Sequence, residues 1–189
     1  RNMQTSNKEL IDLVQIVLET YKVRDGNIRL YKENILLKGF IKEIIEEMQP
    51  IAQKTNNTLE FIQQRDIRVY ADRIQLKRVI KNLIQNAISY GEPNFPIEVS
   101  IGEIPQYIVI KVKDYGAGIS KTDIDKIFNK YYSAAKKFRK IGTGLGLYLA
   151  LQIIKSHNGE LSVESEEGNF TEFTIKLPAV MNINLHYGE

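Results

Sequence analysis

Three stretches of the chain gather residue types that can do chemistry at spacings that matter. The first is Gly142-Thr143-Gly144-Leu145-Gly146-Leu147, where glycine alternates and the run passes straight into the apolar helical pattern of Leu149, Ile153 and Ile154. Alternating glycines let a backbone bend close to a bulky group and present N–H donors. A helix opening there adds orphan N–H groups and the positive end of its dipole, so the matching ligand is an anion, phosphate above all. A plain helix-capping turn is the reading these residues alone leave open. Spacing excludes other glycine motifs: a dinucleotide fingerprint or a protein-kinase loop wants glycine where Leu147 stands, and no Gly-Lys-Ser/Thr of a P-loop follows.

The second stretch is Asp72 to Tyr90, where Asn82, Asn86 and Ser89 follow one another at spacings of four and three along a helix whose buried stripe is Leu76, Val79, Ile80, Leu83 and Ala87. Asparagine costs a helix roughly half a kcal/mol relative to alanine, so two on one line need a reason. A solvated face is one; the other is a polar cleft in which amide oxygens ligate a Mg²⁺ ion that keeps waters and bridges to phosphates. The third is Asp114-Tyr115-Gly116-Ala117-Gly118-Ile119 at a strand end. There a carboxylate can accept a hydrogen bond from an amino group such as that of adenine, while glycines let the base approach; an ordinary turn with a capping aspartate is the alternative.

The elements that would position these residues are legible from periodicity. Residues 8 to 22 carry Leu10, Leu13, Val14, Val17, Leu18 and Tyr21 on one helical stripe suited to a partner helix, ending at Asp25-Gly26-Asn27. A short strand is expected at Ile28 to Tyr31, then a helix from Leu36 to Lys54 with Leu37, Phe40, Ile41, Ile44, Ile45 and Met48 inward and a kink or early end at Pro50. Strands follow at Thr58 to Gln63 and Ile67 to Tyr70, with Asp72 as N-cap of the asparagine helix. Ile97 to Ile101 and Tyr107 to Val112 form a hairpin of alternating strands.

Composition bounds what this arrangement can be. With 189 residues, 43% of them hydrophobic, the chain can build one domain plus an appendage. A net charge of +3 from 26 basic and 23 acidic side chains gives no global pull toward nucleic acid or acidic membranes. No cysteine means no disulfide, thiolate metal site or cysteine nucleophile, and two histidines cannot build an imidazole cluster. There is neither an apolar run of transmembrane length nor a signal peptide, and a cytoplasmic setting is expected. The chain opens on Arg1, which we read as a piece of something longer.

Asn82-Leu83-Ile84-Gln85-Asn86-Ala87, Asp114-Tyr115-Gly116-Ala117-Gly118, Ile127-Phe128 and Gly142-Thr143-Gly144-Leu145-Gly146-Leu147 resemble, in order, the N, G1, F and G2 boxes of sensor histidine kinases. The resemblance covers roughly residues 33 to 178 and includes Phe173 to Pro178, similar to the family's last strand; residues 8 to 26 look like the second helix of its dimerisation hairpin and the following linker. It implies an α+β sandwich, with a mixed, largely antiparallel sheet carrying three main helices on one face. This divides into residues 1–27 as part of the hairpin, 28–178 as the ATP-binding domain and 179–189 as a tail.

By the same resemblance Asp114 would hold the adenine amine with Thr171 nearby, and Gly116 and Gly118 would line the base pocket. Asn82 and Asn86 would be the catalytic pair, Asn86 ligating Mg²⁺. Tyr90 would lie near the phosphates, and Gly142, Thr143, Gly144, Leu145 and Gly146 would carry the phosphate-side backbone. Hydrolytic relatives place a glutamate where Asn82 stands; an amide is no general base near neutral pH, so phosphoryl transfer is favoured over hydrolysis. Neither histidine matches the family's acceptor motif: His157 precedes the helix-stop Asn158-Gly159 and suits a capping or surface role, and His186 lies in a polar tail. The acceptor is expected on a helix of the full-length homodimeric protein, with a response regulator receiving the phosphoryl group.

Departures leave an alternative, a nucleotide-binding pseudokinase or dimerisation module. Ser89 and Ser133 stand where many relatives carry cations, and Phe170 where they often carry glycine. Lys136, Lys137, Arg139 and Lys140, in the segment corresponding to the family's lid, could supply the missing charge, with Lys137 our candidate contact, or could be a solvated basic loop. A serine kinase of the anti-sigma type would share the pocket but lack the helix of residues 8–22.

Overall fold

The computed structural model describes residues 28–63, 65–132 and 144–179. The helix expected at residues 8–22, the basic segment with Lys137, Gly142, Thr143, Ser133, the tail and His186 lie outside the described residues. In order, the chain forms β1 (Lys32–Leu36), α1 (Leu37–Gln53), β2 (Thr58–Ile62), β3 (Arg68–Asp72), α2 (Arg73–Tyr90), β4 (Pro96–Ile104), β5 (Tyr107–Asp114), α3 (Gly146–Ser156), β6 (Glu160–Glu166) and β7 (Phe170–Pro178). Five strands make one sheet in the order β2-β4-β5-β7-β6, parallel only between β2 and β4; β1 and β3 form a separate antiparallel ribbon. The mixed, largely antiparallel sheet and three helices are the expected class. Among the described residues no helix is long and apolar enough to cross a membrane.

Alternation along the central strands decides which face is covered. Ile110 faces Ile175 and Ile175 faces Leu161 in register, and the next row is Val112, Phe173 and Val163. Residues directly opposite share a face, so these rows form a continuous apolar floor. On it lie Ile41 and Ile44 of α1, Leu76, Ile80 and Leu83 of α2, and Ile153 and Ile154 of α3, all in one buried cluster. Each such side chain contributes roughly 1.5–3 kcal/mol on burial. Helix α2 lies between the other two, in contact with α1, α3 and β5. It is therefore the element whose position fixes everything else.

The two long helices are capped in different ways. Asp72 is the N-cap of α2, its Oδ1 accepting the Gln75 N–H at 3.0 Å, as the sequence indicates. Helix α1 has no cap of its own in Leu36; the Lys38 N–H donates to Asp66 Oδ1 at 3.0 Å and the Leu37 N–H to the Ile67 carbonyl at 2.9 Å, a cap brought in from the loop before β3. Pro50 does not end α1, which runs on to Gln53. Proline so near the end removes a single ladder bond, and Ala52, fully buried beyond it, keeps the last turn seated.

One expectation is corrected, and one pair of alternatives is decided. The first strand is Lys32–Leu36 and not Ile28 to Tyr31. The Tyr31 N–H is taken by Asp72 Oδ2 at 2.8 Å, so pairing with β3 starts one residue later, at Lys32 opposite Asp72. For His157 the structure takes the capping alternative and not the surface one: it is the C-cap of α3 and 3% exposed, its Nδ1 bonded to the Ile153 carbonyl at 2.8 Å and its Nε2 accepting the Asp72 N–H at 2.9 Å. Burial pushes its imidazole below the usual range, in favour of the neutral form that accepts this bond. Strand β6 escaped the sequence reading, and β7 begins earlier than expected, at Phe170.

Candidate functional site

The site grows from the carboxyl end of β5. Asp114 is 3% exposed, its Oδ1 has no hydrogen-bond partner, and burial pushes its carboxyl up to about 7. Orphaned buried acceptors are uncommon, because they forfeit their hydration without replacement. Opposite Asp114 in register stands Thr171, 5% exposed, and so on the same face of the sheet. The extra bulk of Phe170 does not disturb this pairing, since the ring lies over Lys113 Nζ at 5.0 Å.

The loop after Asp114 is clamped from two sides. The Glu92 N–H donates to the Tyr115 carbonyl at 2.6 Å and the Ala117 N–H to the Tyr90 carbonyl at 3.1 Å, while the Gly168 N–H donates to the Ala117 carbonyl at 2.8 Å. A Cβ on Gly116 would lie 2.2 Å from the Tyr90 carbonyl oxygen. One on Gly118, at φ +61°, would lie 2.1 Å from the Glu166 carbonyl oxygen. Both glycines are therefore required by neighbouring backbone, whatever else they admit. This fixes the loop relative to Asp114 before any ligand arrives.

Asn82 and Asn86 project from α2 half-buried, and Asn82 Nδ2 is a second buried polar atom without a partner. Its Oδ1 would lie 2.5 Å from a Cβ at Gly146, the first residue of α3, so glycine there allows the two helices to close on each other. Leu145, at the N-cap of α3, is 2% exposed, and its side chain supplies no cap to the first-turn amides. Gly144, at φ +67°, accepts the Tyr131 N–H on its carbonyl at 3.0 Å. Just before Tyr131, Ile127 is buried and Phe128 meets Phe173 edge-on at 6.4 Å. Burial raises the Tyr90 phenol above its ordinary value, so it stays a neutral hydroxyl near neutrality.

The chain thus brings Asp114 and Thr171 together at one end of the sheet, and Asn82 against Gly146 at the meeting of α2 and α3; Lys137, Gly142 and Thr143 lie outside the described residues. A cavity of about 450 Å³ adjoins the site through Tyr90 and Gly116 and is otherwise lined mainly by Ser89, Gly91, Glu92 and Ala117. None of Asn82, Asn86 or Asp114 forms its walls, so it is a neighbour of the polar cluster and not its centre. Among the described residues no three His, Cys, Asp or Glu side chains converge on a metal position. Asn82 and Asn86 present neutral amide oxygens, a donor chemistry that fits an ion held largely by water and phosphate. Ser165 was missed: it sits in β6, where a polar residue interrupts the inward-facing alternation Leu161, Val163.

A buried carboxylate at a strand end, two glycines locked against backbone and an asparagine helix meeting the glycine that opens α3 are thus set on one α/β sandwich. Residues 71–181 match the family described as histidine kinase-, DNA gyrase B-, and HSP90-like ATPase, and the chain belongs to it. It is 32% identical over 181 residues to the sensor histidine kinase WalK of Bacillus subtilis (strain 168), which covers 93% of this chain and 29% of that protein. To the sensor protein kinase WalK of Staphylococcus aureus it is 33% identical over 175 residues, 90% of this chain and 42% of the relative. The chain thus spans less than half the length of these curated relatives. Full-length ShkA in complex with AMPPNP shares the fold at a TM-score of 0.84 and 22% identity, over 93% of this chain and 37% of that one. The catalytic domain of histidine kinase ThkA matches at a TM-score of 0.70 and 28% identity, over 79% and 97%.

Proposed function

We propose that the chain is the catalytic, ATP-binding part of a sensor histidine kinase. In this reading the γ-phosphoryl group of ATP goes to a histidine on a dimerisation helix of the full-length protein, and from there to a response regulator. Asp114 carries the proposal: its buried, unpartnered Oδ1 is an acceptor waiting for a donor, and the amine of adenine is one. Gly116 and Gly118 would admit the base edge, and Gly144, Leu145 and Gly146 at the first turn of α3 would receive phosphate oxygens. Lys137, Gly142 and Thr143 would complete that side.

Mg²⁺, held by Asn86 together with the phosphates, would neutralise charge on the transferred group. Asn82 orients and cannot take a proton, which supports transfer to a side chain over hydrolysis. Tyr90, a neutral hydroxyl beside the clamped loop, would donate towards the phosphates. His157 is unsuited as acceptor, since both ring nitrogens are engaged in the core. Support for the partner comes from a neighbour: ThkA was solved in complex with response regulator protein TrrA, at 26% identity to this chain. Residues 1–27 would belong to the dimerisation hairpin, 28–178 to the catalytic domain and 179–189 to a tail, in a homodimer whose kinase end is cytoplasmic.

Calorimetry with ADP and AMPPNP, with and without Mg²⁺, tests the site. We expect the parent to bind, Asp114→Ala to lose binding by on the order of a hundredfold or more, and Asn86→Ala to lose the Mg²⁺ dependence. A folded parent that binds neither nucleotide would overturn the reading and favour a scaffold role.

A further inference from the structure

Ser165 occupies a position that the sequence boxes leave unassigned. In register it faces Thr171, which in turn faces Asp114, so the three form one row across β6, β7 and β5. This row follows directly on the apolar rows ending in Val163, Phe173 and Val112, and shares their face. It is the polar edge of the core.

The hydrogen bonds of this row have a determinate direction. Ser165 Oγ lies 2.6 Å from the Phe170 carbonyl oxygen, 2.9 Å from the Ile119 nitrogen and 3.1 Å from Thr171 Oγ1. A carbonyl can only accept and a backbone amide only donate. The single proton of Ser165 therefore goes to Phe170, and one lone pair receives the Ile119 N–H. Its contact with Thr171 must then be an acceptance, with the Thr171 hydroxyl giving up its only proton. Thr171 is left with lone pairs alone to offer on the sheet face it shares with Asp114.

We propose that Ser165 is a specificity-positioning residue: by taking the Thr171 proton it makes the row beside Asp114 acceptor-only, and so selects a 6-amino purine over a 6-oxo purine. The inference rests on the nucleotide reading of Asp114. A 6-amino group brings two N–H donors to two acceptors. A 6-oxo group brings a carbonyl oxygen, which finds no proton on Thr171 and faces the Asp114 carboxylate. Ser165 also anchors Ile119, and the Gly168 N–H to the Ala117 carbonyl at 2.8 Å ties the same loop to the β6–β7 turn, so the row does not depend on Ser165 alone for its place.

The test compares, at pH 8.5 where the Asp114 carboxyl is ionised and offers no proton of its own, the affinities of ADP and IDP, which differ in the 6-substituent, for the parent, Ser165→Ala and Ser165→Thr. Removing the hydroxyl returns the proton to Thr171, which can then donate to a 6-oxo group. We expect Ser165→Ala to lower the ADP-over-IDP preference by on the order of tenfold, the worth of one net hydrogen bond, and Ser165→Thr to retain it. An unchanged preference in a folded Ser165→Ala, including an equal loss for both nucleotides, would overturn the proposal and leave Ser165 as a loop anchor. If Ser165→Ala does not fold, Thr171→Val reads the same quantity, a lost preference supporting the proposal and a retained one overturning it. A parent that binds neither nucleotide, by contrast, fails the underlying reading first and the inference with it.

Discussion

At the scale of single residues, Asp114 sets function against stability. Its carboxyl is raised to about 7 from 3.8, so the folded state binds the proton more tightly than the unfolded chain does. The penalty is absent below pH 3.8, grows as pH rises, and is complete above about pH 7, where it amounts to about 4 kcal/mol. Asp114→Asn removes the titration. In thermal melts the variant is expected to be more stable than the parent at pH 8, with the gap closing towards pH 5; an equal gap at both values would contradict a buried, unsatisfied carboxylate. Ligand affinity should move the other way. An amine donor prefers the ionised carboxylate, so the parent's dissociation constant for ADP should rise as pH falls through 7 and stay flat above 8.

At the scale of elements, the end of α3 and the start of α2 are joined through a proton that must be absent. His157 Nε2 accepts from the backbone of Asp72, while the Asp72 carboxylate caps α2 and receives the Tyr31 N–H. The imidazole is lowered by burial and by Lys32, against the opposing pull of the Ile153 carbonyl and Asp72. Its contribution to stability is therefore full above the unfolded value of 6.5 and lost as pH falls through the folded one. His157→Gln keeps an acceptor and does not titrate. Going from pH 7.5 to 5.5, the parent should lose melting temperature relative to that variant; a constant difference would mean the ring is not held neutral.

These elements also mark what the sequence made legible. Helical periodicity placed α1 and α2, and residue chemistry placed the Asp72 cap, because each of those signals is local. Asp114 was legible as a strand-end carboxylate before two glycines, whereas Thr171 was reached only through the resemblance; the two stand opposite each other in register, a meeting that no spacing encodes. What stayed hidden depends on partners distant in sequence: a polar Lys32-Glu33-Asn34 run becomes a strand because β3 lies beside it, and His157 is buried by a residue 85 positions away. Gly146 belongs to the same group. Its alternation suggested phosphate, whereas its geometry first answers to Asn82.

At the scale of the whole molecule, one buried cluster reaches from Ile35 to Leu177 and takes in all three helices among the described residues. Such a core gives a single cooperative unit. Urea unfolding followed by far-ultraviolet circular dichroism and by tyrosine fluorescence, tryptophan being absent, should give coincident transitions. Ile80→Ala, fully buried at the centre of α2, should shift both together by about 2–5 kcal/mol. Separate midpoints would divide the fold into parts that the packing says are one.

Strand order carries a last consequence, for a chain emerging from the ribosome. The sheet runs β2-β4-β5-β7-β6, so the strand between β5 and β6 is the last of the five to be made. Until Phe170–Pro178 has been synthesised, β6 has no neighbour to pair with and β5 keeps one edge open. The nascent domain thus passes through a stage in which most of its apolar residues exist but its sheet cannot close. Asp114, too, waits for Thr171 on that final strand, so its side of the site is assembled only as the sheet is sealed.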